Sequence, residues 1–255
     1  MEPGDEPPRT GPWQFFYTAG RYRYVLRNDA TIETLASNTM DSVSSRAYLT
    51  YDLTPEGDGM LITGTIDSFT VNAGDSIPLP LHDMSFPIAF DGRMDRSGRI
   101  QEFSSPDTSS CGSAAGALLG IARELLIAVP SELTIGLEWR DSTSTTSCRG
   151  DIPMTVTTTR HHRLEELIDS AGIPLLRIAR QTDVVMSGMG TRPVQATTVS
   201  GTGSGSMELL IEPTTGTFRH AVGESLTTLT FDAASRRETF LQRVRLTIEL
   251  LEKPD

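Results

Sequence analysis

Apolar and polar residues alternate along much of this chain, which is the period of a strand with one buried face. From Arg46 to Leu53, residues Ala47, Leu49, Tyr51 and Leu53 share one face, and Arg46, Tyr48, Thr50 and Asp52 share the other. The run from Phe240 to Leu250 repeats the pattern, with Val244, Leu246 and Ile248 set against Arg243, Arg245 and Thr247. Turn signals punctuate these runs. Pro55-Glu56-Gly57-Asp58-Gly59 predicts a hairpin that returns through Met60 to Val71. Tyr22 to Leu35 reads as a long strand with a bulge or tight turn at Asn28-Asp29. Further strands are expected within 152–160, 174–185, 197–211 and 226–231, with Arg163 to Ile168 favoured as strand over short helix. Ile77-Pro78-Leu79-Pro80-Leu81 is excluded from a sheet interior because its prolines lack donors.

One strand–turn–strand pattern occurs in each half of the chain. Pro87 to Phe103 and Gly205 to His220 both carry an apolar run, an acidic residue, a turn closed by Gly and a second run. The acid-to-glycine spacing differs, Asp95 to Gly98 against Glu212 to Gly216, so the copies argue for similar hairpins and not for an internal duplication.

A single helix is expected over 113–129. Ser113 is its N-cap, Leu118, Leu119, Ile121, Ala122, Leu125, Leu126 and Val129 spread over a wide apolar arc, and Pro130 stops it. Only Arg123 and Glu124 are charged within it. The fold class is therefore mainly β: a large curved antiparallel sheet, a half-barrel of about ten strands, with this helix on its concave face. Residues 1–18 are expected to be a flexible tether. Residues 19–255 form one domain whose similar halves, about 19–110 and 150–255, are joined by 111–149.

Composition sharpens this picture. Hydrophobic residues make up only 37% of the chain, and much of the rest is Thr, Ser and Gly, which suits a sheet with one wetted face. The formal net charge of −11 excludes a nucleic-acid surface, which needs a basic patch, and disfavours an anionic membrane as the main partner. No run of apolar residues is long enough for a transmembrane helix. Cys111 and Cys148 lie in no metal-binding spacing. They are read as a disulfide, worth about 4 kcal/mol in the chain-entropy account, with two separate buried thiols as the alternative. The acidic, proline-rich start, Met1 to Pro12, resembles the tether left when an export signal or lipoprotein anchor is trimmed. An exported protein, periplasmic or anchored at the cell envelope, is expected.

The candidate chemistry is sparse. Gly201-Thr202-Gly203-Ser204-Gly205 lacks the lysine of a phosphate loop. His161 and His162 are adjacent on a strand and point to opposite faces, so they do not share a metal, and His82 and His220 are isolated. Asp67, Asp91 and Asp95 sit near turns, where capping a backbone amide is the simpler role. Ser109-Ser110-Cys111-Gly112-Ser113 is not a nucleophile elbow. Neither a catalytic residue, a metal site nor a cofactor is expected.

The segment Val129-Pro130, Ile135-Gly136 and Trp139, with the hairpin Glu212-Pro213-Thr214-Thr215-Gly216, resembles motifs of uncharacterised bacterial exported proteins and lipoproteins. These are similar to carriers of the LolA/LppX type. The resemblance implies a curved antiparallel sheet closed by helices over an apolar hollow that binds a lipid-like or acyl ligand without catalysis. Leu118, Leu119, Ile121, Leu125 and Leu126, with Phe90 and Trp139, are the residues expected to line it. The alternative is a structural scaffold of the envelope with a filled core and a protein partner. A hydrolase would require two or more of His82, His161, His220 and the acids to converge in a cleft.

Overall fold

The computed structural model describes residues 11–73, 85–105, 119–120, 122–149, 152–192, 195–213, 215–234 and 236–252. Thirteen strands are present among the described residues: β1 Trp13–Gln14, β2 Gly20–Thr34, β3 Thr39–Glu56, β4 Gly59–Ala73, β5 Ile88–Asp95, β6 Ile100–Ser104 and β7 Glu132–Leu133. They continue as β8 Glu138–Arg149, β9 Ile152–Ser170, β10 Ile173–Arg192, β11 Gln195–Glu212, β12 Thr217–Ala233 and β13 Arg236–Glu252. Eleven of them form one curled antiparallel half-barrel in the order β6-β5-β4-β3-β2-β13-β12-β11-β10-β9-β8. The first long strand and the last meet at its centre, Ala30 opposite Val244. The strands before and after the central segment therefore fan out on opposite sides of this β2–β13 seam.

The alternating runs lie where their period placed them. In β3, Ala47, Leu49, Tyr51 and Leu53 are all buried. In β5, Ile88, Phe90 and Met94 are buried between exposed neighbours. The two strand–turn–strand patterns are the β5–β6 and β11–β12 hairpins. Asn28 and Asp29 do not interrupt β2: the ladder runs through them, Asn28 opposite Ser45 and Asp29 opposite Ser44. Arg163 to Ile168 belongs to β9, as favoured.

One large core and one small one result. The large core gathers Tyr24, Tyr51, Phe90 and Phe218, whose rings meet edge to face at centroid distances of 5.2–6.2 Å. The small one, Ile152, Met154, Val199 and Leu229, sits apart from it.

The helix expected over 113–129 is corrected. Residues 113–118 and 121 lie outside the described residues, and from Glu124 onward the chain turns, bends and then runs extended to Pro130. The physical reason is competition for the backbone. Leu125 and Leu126 donate to Ala122 and Arg123, three residues back, which closes a tight turn. Beyond it, the Ile127 amide donates to the Tyr17 hydroxyl and the Val129 amide to the Ser97 carbonyl, so tertiary contacts take the donors a helix would use. Residues 119–120 and 122–123 are helical, but past them the hydroxyl of a distant tyrosine takes a donor that the expected helix would use.

The expected tether is corrected in part. Residues 1–10 lie outside the described residues, but Trp13, Phe15 and Tyr17 are buried, and β1 pairs with β7. The Cys111–Cys148 pairing also lies outside the described residues, since Cys111 is not among them.

Candidate functional site

The half-barrel does not close among the described residues: β6 and β8 are its two edges. Residues 122–130 cross between those edges on the buried face. Tyr51 donates its hydroxyl to the Ala122 carbonyl, and the Tyr17 hydroxyl donates to the Ile127 carbonyl at 2.7 Å. This segment delivers Arg123 and Glu124 to the β8 side of the sheet.

Strand register brings the remaining residues together. Trp139 of β8 is opposite His162 of β9, which is opposite Arg180 of β10, which is opposite Met207 of β11. One row along, Asp141 is opposite Arg160. Residues two apart on a strand share a face, so Trp139, Asp141, Arg160, His162 and Arg180 converge.

The result is a connected ion cluster. His162 Nε2 lies 2.8 Å from Asp141 Oδ2, and Arg160 Nη1 donates to Asp141 Oδ1 at 3.0 Å and to Thr143 at 3.2 Å. Arg160 Nη2 also donates to Glu124 Oε1, and Arg180 Nη2 pairs with Glu124 Oε2 at 3.0 Å. Glu124 therefore joins two arginines on different strands. Trp139 lies flat against the His162 ring and donates its indole N–H to the Ala128 carbonyl at 2.9 Å.

Burial dominates the electrostatics here. It would raise the Glu124 carboxyl, but Arg180 and Arg160 outweigh it and hold the group below its usual 4.5. Asp141 likewise sits below 3.8, held there by His162 and Arg160 against the cost of burial. Burial pushes the His162 imidazole below 6.5 although Asp141 favours its charged form. Arg180 is lowered by burial as well, despite Glu124.

A cleft of about 590 Å³ opens beside this cluster, between the β5–β6 turn at Gly98 to Ile100, the 123–128 segment and β8 at Arg140 to Ser144. Arg99, Arg123, Arg160 and Arg180 line it against two carboxylates, Glu124 and Asp141, whereas the exposed side chain of Arg140, alternating with Trp139 and Asp141 along β8, lies on the opposite face of the strand. The formal charge of those six side chains is +2 in a chain of −11. By contrast, the apolar space under Leu125 and Leu126, bounded by Tyr17, Tyr24, Tyr51 and Phe218, amounts to about 20 Å³, room for little more than one water.

The expected lining residues fall in different places. Leu118 and Ile121 lie outside the described residues. Leu125 is buried, and Leu119 and Leu126 pack half-buried on the large core. Phe90 is deep in the aromatic cluster, in contact with Tyr51 and Phe103. Only Trp139 belongs to the ion cluster. Reading the sequence missed Asp141, Arg160, His162 and Arg180. The available signal was the i, i+2 spacing of Trp139 with Asp141 and of Arg160 with His162, which places each pair on one strand face.

No family model matches the chain, and no curated protein does. Among solved structures, the chain can be superposed on OccK11 (OpdR) of Pseudomonas aeruginosa at a TM-score of 0.26 and 8% identity. That alignment covers 95% of this chain and 100% of the other. Among the described residues, no helix is long and apolar enough to cross a membrane.

Proposed function

We propose that this chain is a non-catalytic binding protein of the exported, cell-envelope class, and that its ligand occupies the cleft at the open edge of the half-barrel. The carrying observation is the cleft itself: about 590 Å³ of space at the one margin where β6 and β8 leave the sheet unclosed. That volume falls in the range of small-ligand sites, roughly 300–1,000 Å³. The resemblance to lipoprotein carriers supports a lipid-like or acyl ligand, and Ile100, Leu126 and Ile127 give the cleft an apolar flank for it.

A non-catalytic role is supported by the state of the histidine. The His162 side chain is 0% exposed, capped by Trp139 on one face and bonded through Nε2 to Asp141, so it has no path for exchanging a proton with a substrate. The filled apolar interior favours a second reading, an envelope scaffold with a protein partner.

Native mass spectrometry of the purified full chain, with organic extraction, tests the two readings. A co-purifying small molecule, or saturable binding of an added amphiphile, is the expected result. Absence of both would overturn the binding reading and leave the scaffold.

A further inference from the structure

We propose that the arginine-lined cleft recognises the anionic group, a carboxylate or a phosphate, of its ligand. This rests on the reading of the cleft as the binding site and adds the chemistry that site selects.

Three observations point to an anion. The first is the local charge, the guanidiniums of Arg99, Arg123, Arg160 and Arg180 against two carboxylates in a chain whose net charge is −11. An acidic protein that concentrates arginines in one concave place focuses positive potential there. Arg99 is exposed at its mouth and Arg160 and Arg180 are buried at its base, so the potential extends from entrance to floor.

The second is a set of donors without acceptors. A guanidinium carries five N–H donors in a planar fork. The Arg180 side chain is only 5% exposed, yet among the described residues Glu124 and Met207 engage only its Nη2, and its Nε and Nη1 have no partner there. Arg123 Nε is likewise buried without a partner among the described residues. Buried donors are normally satisfied, so these open donors on two arginines lining one cleft leave it hydrogen-bonding capacity for an acceptor. Carboxylates and phosphates present the paired oxygens that such a fork engages.

The third is the arrangement of Glu124. Its carboxylate already sits between Arg160 and Arg180. These arginines can therefore hold a carboxylate, and the remaining donors can hold another.

The test is calorimetry on the full chain with three probes: inorganic phosphate, octanoate and uncharged octanol. The wild type is compared with Arg99→Gln, which changes an exposed residue outside the ion cluster, and with Arg180→Lys. At least one anion is expected to bind, with octanol at least about tenfold weaker and anion affinity falling as salt rises. Arg99→Gln should lose about threefold in anion affinity. Arg180→Lys, with its far-UV circular dichroism unchanged, should lose at least as much. Phosphate binding without octanoate identifies a phosphoryl ligand; octanoate without phosphate identifies an acyl carboxylate. Equal binding of octanol and octanoate, indifferent to Arg99→Gln, overturns the anion inference while leaving a binding cleft. Failure of all three probes, with nothing co-purifying, overturns both.

Discussion

Trp139 and His162 lie face to face, ring centroids 4.9 Å apart and planes 6° from parallel. They are direct cross-strand partners, so the register of β8 on β9 makes the stack. The indole N–H then reaches past the sheet to the Ala128 carbonyl. One side chain thus seals the imidazole and ties the sheet edge to the 122–130 segment. Trp139→Phe keeps an aromatic face and removes the donor. It should lower stability by about 1 kcal/mol in urea denaturation, the usual worth of one hydrogen bond. It should also raise amide exchange around Ala128. An unchanged urea midpoint together with unchanged exchange would show that the tie carries no weight.

Glu124 is the shared counter-ion of Arg160 and Arg180. Replacing it with Gln leaves the buried Arg180 guanidinium without its paired anion and Arg160 with Asp141 alone. Removing one partner of a buried pair costs about 3–5 kcal/mol, and the 28% exposure of Glu124 brings the expectation to about 2–3 kcal/mol. At roughly 2–4 °C per kcal/mol for a chain of this size, Tm should fall by about 4–12 °C. Adding Arg180→Met should recover part of that loss, with a coupling of at least about 0.5 kcal/mol in a double-mutant cycle. Strict additivity would mean that the two residues do not interact.

The pH dependence follows from the same cluster. Burial holds the native His162 imidazole below 6.5, so the unfolded chain takes up a proton before the native chain does. The contribution is complete above pH 6.5 and is lost as pH falls from there through the native value. Glu124 and Asp141, held below 4.5 and 3.8, carry the loss further as pH falls through their own native values. Urea midpoints measured from pH 8 to 3 should therefore decline in two stages. His162→Gln should abolish the upper stage and spare the acid limb. A wild-type profile that stays flat below pH 6.5, until the carboxyls titrate, would contradict this account.

Two glycines separate backbone strain from collision. Gly98 and Gly172 both have positive φ, 80° and 82°. A Cβ on Gly172 meets nothing within 4 Å, whereas one on Gly98 would strike the Tyr17 ring and the Ile127 carbonyl. Gly172→Ala should cost about 1–2 kcal/mol from the left-handed backbone alone. Gly98→Ala should cost about 1–3 kcal/mol more, because it forces Tyr17 away from the cleft-lining segment. Equal thermal shifts in the two variants would show that Tyr17 and the segment move aside freely.

Strands were legible wherever alternation was strict. Leu49 and Tyr51 in β3, and Ile248 in β13, needed only the two-residue period and a core to face. The segment 122–130 was not legible in this way. Its Leu, Ile and Ala residues suit a helix, and what bends the segment is Tyr17, 110 residues away from its partner Ile127 in sequence. Trp13, Phe15 and Tyr17 were hidden for a similar reason: their neighbours Met1 to Pro12 read as polar tether, and their burial depends on the β1–β7 pairing.

The ion cluster shows the same division most sharply. Composition and period were enough to determine that the chain is mainly β, acidic, and built from antiparallel hairpins, because those properties follow from local alternation and summed charge. Which charges meet was decided only by tertiary structure. His162 and Asp141 are 21 residues apart, and Arg160 and Glu124 are 36 apart. A slip of one residue in the β8–β9 register would turn Trp139 and Asp141 to the opposite face from His162 and Arg160. Register is set by the packing of the whole sheet, so the cleft and its positive charge exist only once the sheet has assembled around the segment that crosses its open edge.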